Sequence, residues 1–379
     1  YHAEAEWAGA YEPFERAVRI MAEDQIDCDV VPMDVLVDAG QTAITKGRFA
    51  IQRESYRALV VPFAEYLPQS LLKVLVEMIQ HNVPVIFTGE LPVSGSQNGG
   101  GFEVLLEELR ASPNTAICEF DLVEHLRYLG VTEIETVDPE PTLRVLHYVQ
   151  EKTPLYFFTN ESRTRTVRTK VTLRESGAPV GYDPLANELF GLVYTAEKGK
   201  TTITLEIEPY ESLFVVFQAE GARQWSERLR PARLARASAV DSAWQVSSAD
   251  GPEGAFKPEP GVTGPGNVAR PGLLPRFSGT LRYETTLKIG AGEASGPALL
   301  DLGEVYEIAE VTLNGKNLGA RICPPYRFDV TGLLHEGANM LTVDVTNTLA
   351  KAWGSQNPFD RSMPQEPSGL IGPVRLLRE

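Results

Sequence analysis

The sequence predicts a multidomain chain, α/β in its first third and all-β thereafter. Three observations carry that prediction. Continuous apolar runs alternate with helix-period segments up to about residue 141. Hydrophobicity then switches to strict alternation. Beyond a Gly- and Pro-dense stretch at 249–275, strands recur between turn signals to the end. With 379 residues, of which 43% are hydrophobic, the chain can bury more than one core.

In the first unit, 1–141, a helix-period stretch at 13–24 precedes a short apolar strand, Ile26 to Val31. Ala58–Phe63 reads as a strand buried on both faces. Pro68-Gln69-Ser70 starts a helix carrying Leu71, Leu72, Val74, Leu75 and Met78. A second buried strand, Val83–Gly89, leads to a loop at 94–101, helices at 102–110 and 121–129, and a short strand near 133–137. Strand–helix alternation with short links predicts a doubly wound parallel sheet, whose first strand ends near Tyr1–Trp7. A sheet opening on the first residues suggests a chain cut from something longer.

A second unit, 142–220, reads as a small antiparallel β-domain with strands at 143–149, 155–159, 167–174, 203–207 and 213–217. Arg163, Arg165, Arg168 and Lys170 alternate with apolar residues or Thr there, the pattern of a solvated strand face. The third unit, 221–379, begins Arg- and Ala-rich and becomes an all-β sandwich. Within it Asn314-Gly315 between apolar strands predicts a type I′ hairpin, because both turn positions need positive φ. Asp329 is placed to cap a short helical turn.

Charge is unevenly shared. Residues 1–141 hold 24 acids and 9 bases, a net of −15, and the remainder nets −1. The total of −16 excludes a nucleic-acid binder held by phosphate charge. No apolar run is long enough to span a membrane as a helix. Cys28, Cys118 and Cys323 have neither metal spacing nor a CxxC, and read as idle thiols. No metal ligand set is expected. Asn160-Glu161-Ser162 matches the glycosylation triplet, a common chance pattern.

The stretch 309–353 closely resembles the sugar-binding jelly-roll domain of glycoside hydrolase family 2, galactose-binding-like in fold. The matching residues are Leu300–Gly303, Asn314-Gly315, Gly319, Tyr326–Thr331 and Gly337–Leu341. Thr312 departs from the pattern, standing where relatives often carry an aromatic. Segments 1–7, 25–36, 58–68, 277–284 and 367–376 together resemble the C-terminal region of the α-L-rhamnosidases of glycoside hydrolase family 106. The resemblance implies an upstream catalytic barrel that carries both catalytic acids and a calcium ion near the sugar. It also implies inverting cleavage of terminal α-L-rhamnose, rhamnose-containing glycans as partners, and a secreted or periplasmic location. It makes the first unit amidotransferase-like but degenerate, since neither apolar strand ends in a thiol nucleophile elbow.

No catalytic residue and no cofactor are therefore expected in this chain, which reads as a region that braces and frames the barrel. The other reading is a stand-alone carbohydrate-binding or structural module. One local cluster is a candidate for substrate binding: His2, Glu4 and Glu6 share a strand face beside Trp7 at the carboxyl end of the expected first strand. That cluster either completes a sugar site or packs as a polar strand end. Glu90 is a weaker case of the same kind. Trp244, Trp353, Tyr306 and Tyr326 are rings able to stack on a sugar. Arg321 and Arg327 can bond sugar hydroxyls or pair with Asp301, Glu304 or Glu310.

Overall fold

The computed structural model describes residues 10–95, 101–218, 225–230, 234–251, 254–353 and 366–379. The chain is β-rich, with several sheets and few helices. In the first unit, strands Leu59–Val61, Val85–Thr88 and Thr115–Cys118 form a parallel sheet in that order. Successive strand residues point to opposite faces, and both faces are covered. Val85 and Phe87 pack with Leu72, Leu75 and Met78 of the helix Gln69–Gln80 and with Leu106 and Leu109 of the helix Phe102–Ala111. Ile86 turns the other way, toward Ala17 and Met21 of the helix Phe14–Glu23 and Leu122 and Leu126 of the helix Leu122–Tyr128. The strand expected near Tyr1–Trp7, on which a doubly wound order depends, lies outside the described residues.

Two readings of this unit need correction. Ile26–Val31 is extended but joins no ladder. Its alternate acids bind other elements instead: Asp27 accepts the His147 backbone N–H at 3.2 Å, and Asp29 accepts the Tyr56 hydroxyl at 2.8 Å. The short strand near 133–137 exists as Ile134–Thr136, but it pairs antiparallel with Val167–Leu173 in the second unit. A three-stranded antiparallel sheet, Thr42–Thr45, Arg48–Ile51 and Glu54–Tyr56, was not anticipated. It buries Phe49, whose ring stacks on Tyr56 at 4.9 Å.

The second unit is a two-sheet sandwich. One sheet has five strands in the order Leu143–Gln150, Thr153–Asn160, Ser212–Gln218, Ala178–Asp183 and Glu188–Gly191. The other has four, Tyr194–Glu197, Lys200–Ile207, Val167–Leu173 and Ile134–Thr136. Their inner faces contribute Tyr156, Phe158, Val171, Ile203, Leu205 and Val215 to one core. Gly181 is required here, because a Cβ would stand 2.4 Å from the Phe190 ring.

In the third unit a six-stranded sheet faces a four-stranded one. Its central pair, Thr280–Ile289 and Gly337–Thr346, runs in unbroken antiparallel register for ten residues. Leu281, Tyr283, Val311, Leu341 and Val343 meet Leu300 and Phe328 across the core. Asn314 and Gly315 have φ of 52° and 79°, as the hairpin demands. Asp329 opens a single hydrogen-bonded turn at 331–333, its Oδ1 accepting Thr331 N–H at 2.8 Å.

Gln25 ties the first unit to the second. It is 1% exposed, at φ 57°, just past the helix Phe14–Glu23. Its Nε2 donates to the carbonyls of Glu140 (2.8 Å) and Leu143 (3.1 Å), and its Oε1 accepts Glu140 N–H at 3.2 Å. Buried groups left unpaired cost about 1–3 kcal/mol each. Gln25→Ala is expected to lower unfolding free energy by about 2–4 kcal/mol in chemical denaturation; a loss within 0.5 kcal/mol removes the clamp assigned to this residue.

Candidate functional site

The expected substrate-binding residues His2, Glu4, Glu6 and Trp7 lie outside the described residues. At the carboxyl edge of the parallel sheet, Thr88 accepts Phe63 N–H at 3.2 Å and donates to the Glu12 carboxylate. Arg16 pairs with Glu12 at 2.8 Å, while Glu90, just past the second parallel strand, is exposed. Cys118 ends the third parallel strand buried, its thiol pushed up to about 11 by desolvation and by Asp121. A thiol so rarely ionised is a poor nucleophile.

Other sequence candidates resolve into structural roles. Asn160 is fully buried, its Nδ2 donating to the carbonyls of Arg165 (2.7 Å), Ile207 (3.1 Å) and Glu208 (3.1 Å). The glycosylation triplet is thus closed in the folded chain. Tyr326 is a core ring whose hydroxyl donates to Glu307 O at 2.5 Å. Trp244 meets Tyr283 edge-on at 6.4 Å, beside the sandwich core. Tyr306 is half-buried, and the Trp353 side chain is outside the description.

A cleft of about 490 Å³ lies between the second and third units. Its polar wall is an ion-pair chain. Arg228 binds Asp183 at 2.7 Å and Glu211 at 2.5 Å, and Arg230 binds Glu211 at 2.8 Å. Glu211 also accepts Glu208 N–H at 2.8 Å. From the sandwich, Arg327 binds Asp301 at 3.0 Å and reaches across to the Glu208 carboxylate. Of the partners weighed for Arg327 in the sequence, Asp301 is the one used; Glu310 instead accepts from Asn317. Burial raises the Glu208 carboxyl above its ordinary range, against the pull of Arg327. Burial alone would lower Arg327, but Glu208 and Asp301 outweigh it, so its guanidinium stays charged.

Sequence reasoning missed Arg228, Arg230, Glu208 and Glu211. Their only trace was an Arg-rich composition near 219–240. Four further charged groups line the cleft and have no ion-pair partner among the described residues: Glu188 from the second unit, and Lys316, Arg321 and Asp329 from the sandwich. Arg321 spends its guanidinium on the Phe328 ring, 5.3 Å from the centroid, and on the Ala320 carbonyl.

A second charged cluster lies at the other junction. His147 Nδ1 is 2.8 Å from Glu133, whose other oxygen binds Arg57 at 2.7 Å. The imidazole stacks flat on Tyr156 at 4.4 Å, and the Tyr156 hydroxyl donates to Glu175. The Glu133 hydrogen bond raises the His147 pKa above its usual 6.5 against the opposing effect of burial; Glu175 and Asp27 add to the rise. Among the described residues no group of three His, Cys, Asp or Glu side chains is placed to hold a metal ion. No helix among them is long and apolar enough to cross a membrane.

Comparison with known proteins bears on the third unit and on the whole order. Residues 278–375 match the family described as glycosyl hydrolase 2 galactose-binding domain-like. A Formosa agariphila protein bearing the name of a beta-glucuronidase is 39% identical over 90 residues, 23% of this chain and 7% of that protein. The rhamnosidase structure from Novosphingobium sp. PP1Y superposes with a TM-score of 0.65 at 20% identity, over 93% of this chain and 36% of that one. The chain therefore contains a glycoside hydrolase-related domain and shares its fold with about a third of a rhamnosidase.

Two outcomes test these clusters. Arg327→Met leaves Glu208 buried with its cross-unit partner gone, at an expected cost of about 3 kcal/mol in denaturation. The double variant with Glu208→Gln should recover at least half of that. No recovery would deny the pair its bridging role. His147 has a folded pKa above its unfolded one, so its contribution is complete below about pH 6.5 and fades as pH climbs through the folded value. The melting-temperature gap between wild type and His147→Gln should therefore be widest near pH 6 and narrow toward pH 9. A constant gap would show that the Glu133 contact does not favour the imidazolium.

Proposed function

We propose that this chain is the C-terminal accessory region of a glycoside hydrolase that removes terminal α-L-rhamnose with inversion. In this reading it braces and frames an upstream catalytic barrel. The observation that carries the reading is the shared order of an α/β unit, a β unit and a sandwich. It is supported by the superposition of 93% of this chain, at a TM-score of 0.65, on a rhamnosidase structure. The family 2-type domain at 278–375 supports the same class.

Inverting hydrolysis needs an acid and a base about 6.5–9.5 Å apart across the scissile bond. The reading assigns both to the barrel, with calcium near its sugar. This chain's part is mechanical: two polar junctions, at Gln25 and at Arg327, hold three units in one arrangement against which a barrel can rest. His2, Glu4, Glu6 and Trp7 would complete the sugar site from the edge of a degenerate, doubly wound, amidotransferase-like unit spanning 1–141. Residues 142–220 and 221–379 would be the small β-domain and the jelly roll. The substrates would be rhamnose-containing glycans met in a periplasmic or extracellular setting. A stand-alone carbohydrate-binding module is the second reading, favoured by the galactose-binding-like description of 278–375.

The decisive assay uses an aryl α-L-rhamnoside. The 379-residue chain should show no turnover, and the same chain continuous with the residues that precede it should release the aglycone. Turnover by the chain alone, or none by the longer protein, overturns the reading.

A further inference from the structure

The inference concerns what the interunit cleft takes. Its volume of about 490 Å³ falls within the range of small-molecule sites, about 300–1,000 Å³. Its wall is preorganised: Glu211 is fixed by two guanidinium groups and a backbone N–H, so little side-chain freedom is lost on binding. The sandwich adds apolar residues to the lining, Leu318, Pro324 and Pro325, beside its polar Lys316, Asn317 and Arg321.

Charge decides the ligand class. The cleft presents carboxylates and guanidinium groups in near-equal number, close together. An anionic ligand would meet Glu208, a carboxylate already raised by burial and by the neighbouring Glu211 charge, as well as Glu211 itself. A cationic one would meet Arg228, Arg230 and Arg327. A neutral polyol suits both signs, since each hydroxyl can donate to a carboxylate and accept from a guanidinium. The Glu188 carboxylate of the second unit has no hydrogen-bond or ion-pair partner among the described residues, and Arg321 of the sandwich gives one N–H to Ala320 O and keeps its other donors, so both can make such bonds. The apolar lining residues suit the CH-rich face of a pyranose.

We propose that the cleft between the second and third units is a binding subsite for a neutral saccharide, a pyranose held by vicinal hydroxyls between Glu188 and Arg321. The choice of a saccharide among polyols rests on the glycoside hydrolase reading above; the neutrality of the ligand does not.

Calorimetric titration of the full 379-residue chain with L-rhamnose, D-galactose and D-glucuronate tests this. At least one neutral sugar should bind with millimolar affinity, and glucuronate about tenfold more weakly or not at all. Arg321→Ala and Glu188→Gln should each weaken the neutral sugar about five- to tenfold, with circular dichroism unchanged. The proposal is overturned if no neutral sugar binds, if glucuronate binds equally well, or if both variants bind like wild type. Expected binding together with a longer protein that fails to cleave rhamnosides would sink the functional reading and leave the subsite standing. Rhamnoside cleavage with no binding in the cleft does the reverse.

Discussion

The two β units meet through three guanidinium groups, Arg228, Arg230 and Arg327, set against Asp183, Glu208 and Glu211. Arg327 is planted in the sandwich by Asp301 and reaches Glu208 of its neighbour, 119 residues earlier in the chain. Taking such charges out of water costs several kcal/mol per ion, recovered only with near-ideal geometry and every remaining hydrogen-bonding group satisfied. The network meets that demand by sharing. Glu211 serves Arg228, Arg230 and the Glu208 backbone at once, and Arg228 returns to Asp183. An apolar contact would tolerate sliding by an ångström or more. A planar guanidinium held by two carboxylates does not, so the chain of pairs selects one orientation of the units.

The junction between the first and second units uses a different currency. Gln25 is neutral and makes its bonds to backbone carbonyls and a backbone N–H, so that contact does not change with pH. Beside it, His147 and Glu133 carry a titratable component, with Arg57 anchoring the carboxylate from the α/β side. One junction is therefore anchored by an amide and adjusted by an ion pair, while the other is ionic throughout. Both place their polar groups where two independently cored bodies meet, outside either core.

Local pattern foretold the pieces better than their meeting points. The helix Gln69–Gln80, the buried strands around Val60 and Ile86, and the alternating strands of both β units were legible because each buries a face that its own residues define. Asn314-Gly315 was legible because only such a pair accepts two positive φ values cheaply. The sheet at 42–56 was not, since its strands have three or four residues and mix Thr, Arg, Glu and Ser with few apolar positions. Ile26–Val31 misled for the opposite reason: apolar content suggested a ladder, but its acids are the residues in use. The cleft was invisible except for the possible Asp301 partner of Arg327. Its other members lie far apart in sequence and carry no local motif.

Net charge and local charge tell different stories in this protein, and the difference bears on the cleft. The whole chain carries −16, of which −15 falls in the first 141 residues. Several bases of the remaining sequence are engaged with acids at the junctions, as in Arg165 with Glu140 and Arg327 with Glu208. An acidic ligand approaching the cleft would thus work against the field of the α/β unit as well as against Glu208 and Glu211. A neutral ligand feels neither, and its affinity should vary little with ionic strength, whereas contact with any anion would strengthen as salt screens the field. The uneven charge of the sequence and the near-balance of the cleft act together as a filter, admitting hydroxyl-rich neutral molecules and turning acidic ones away.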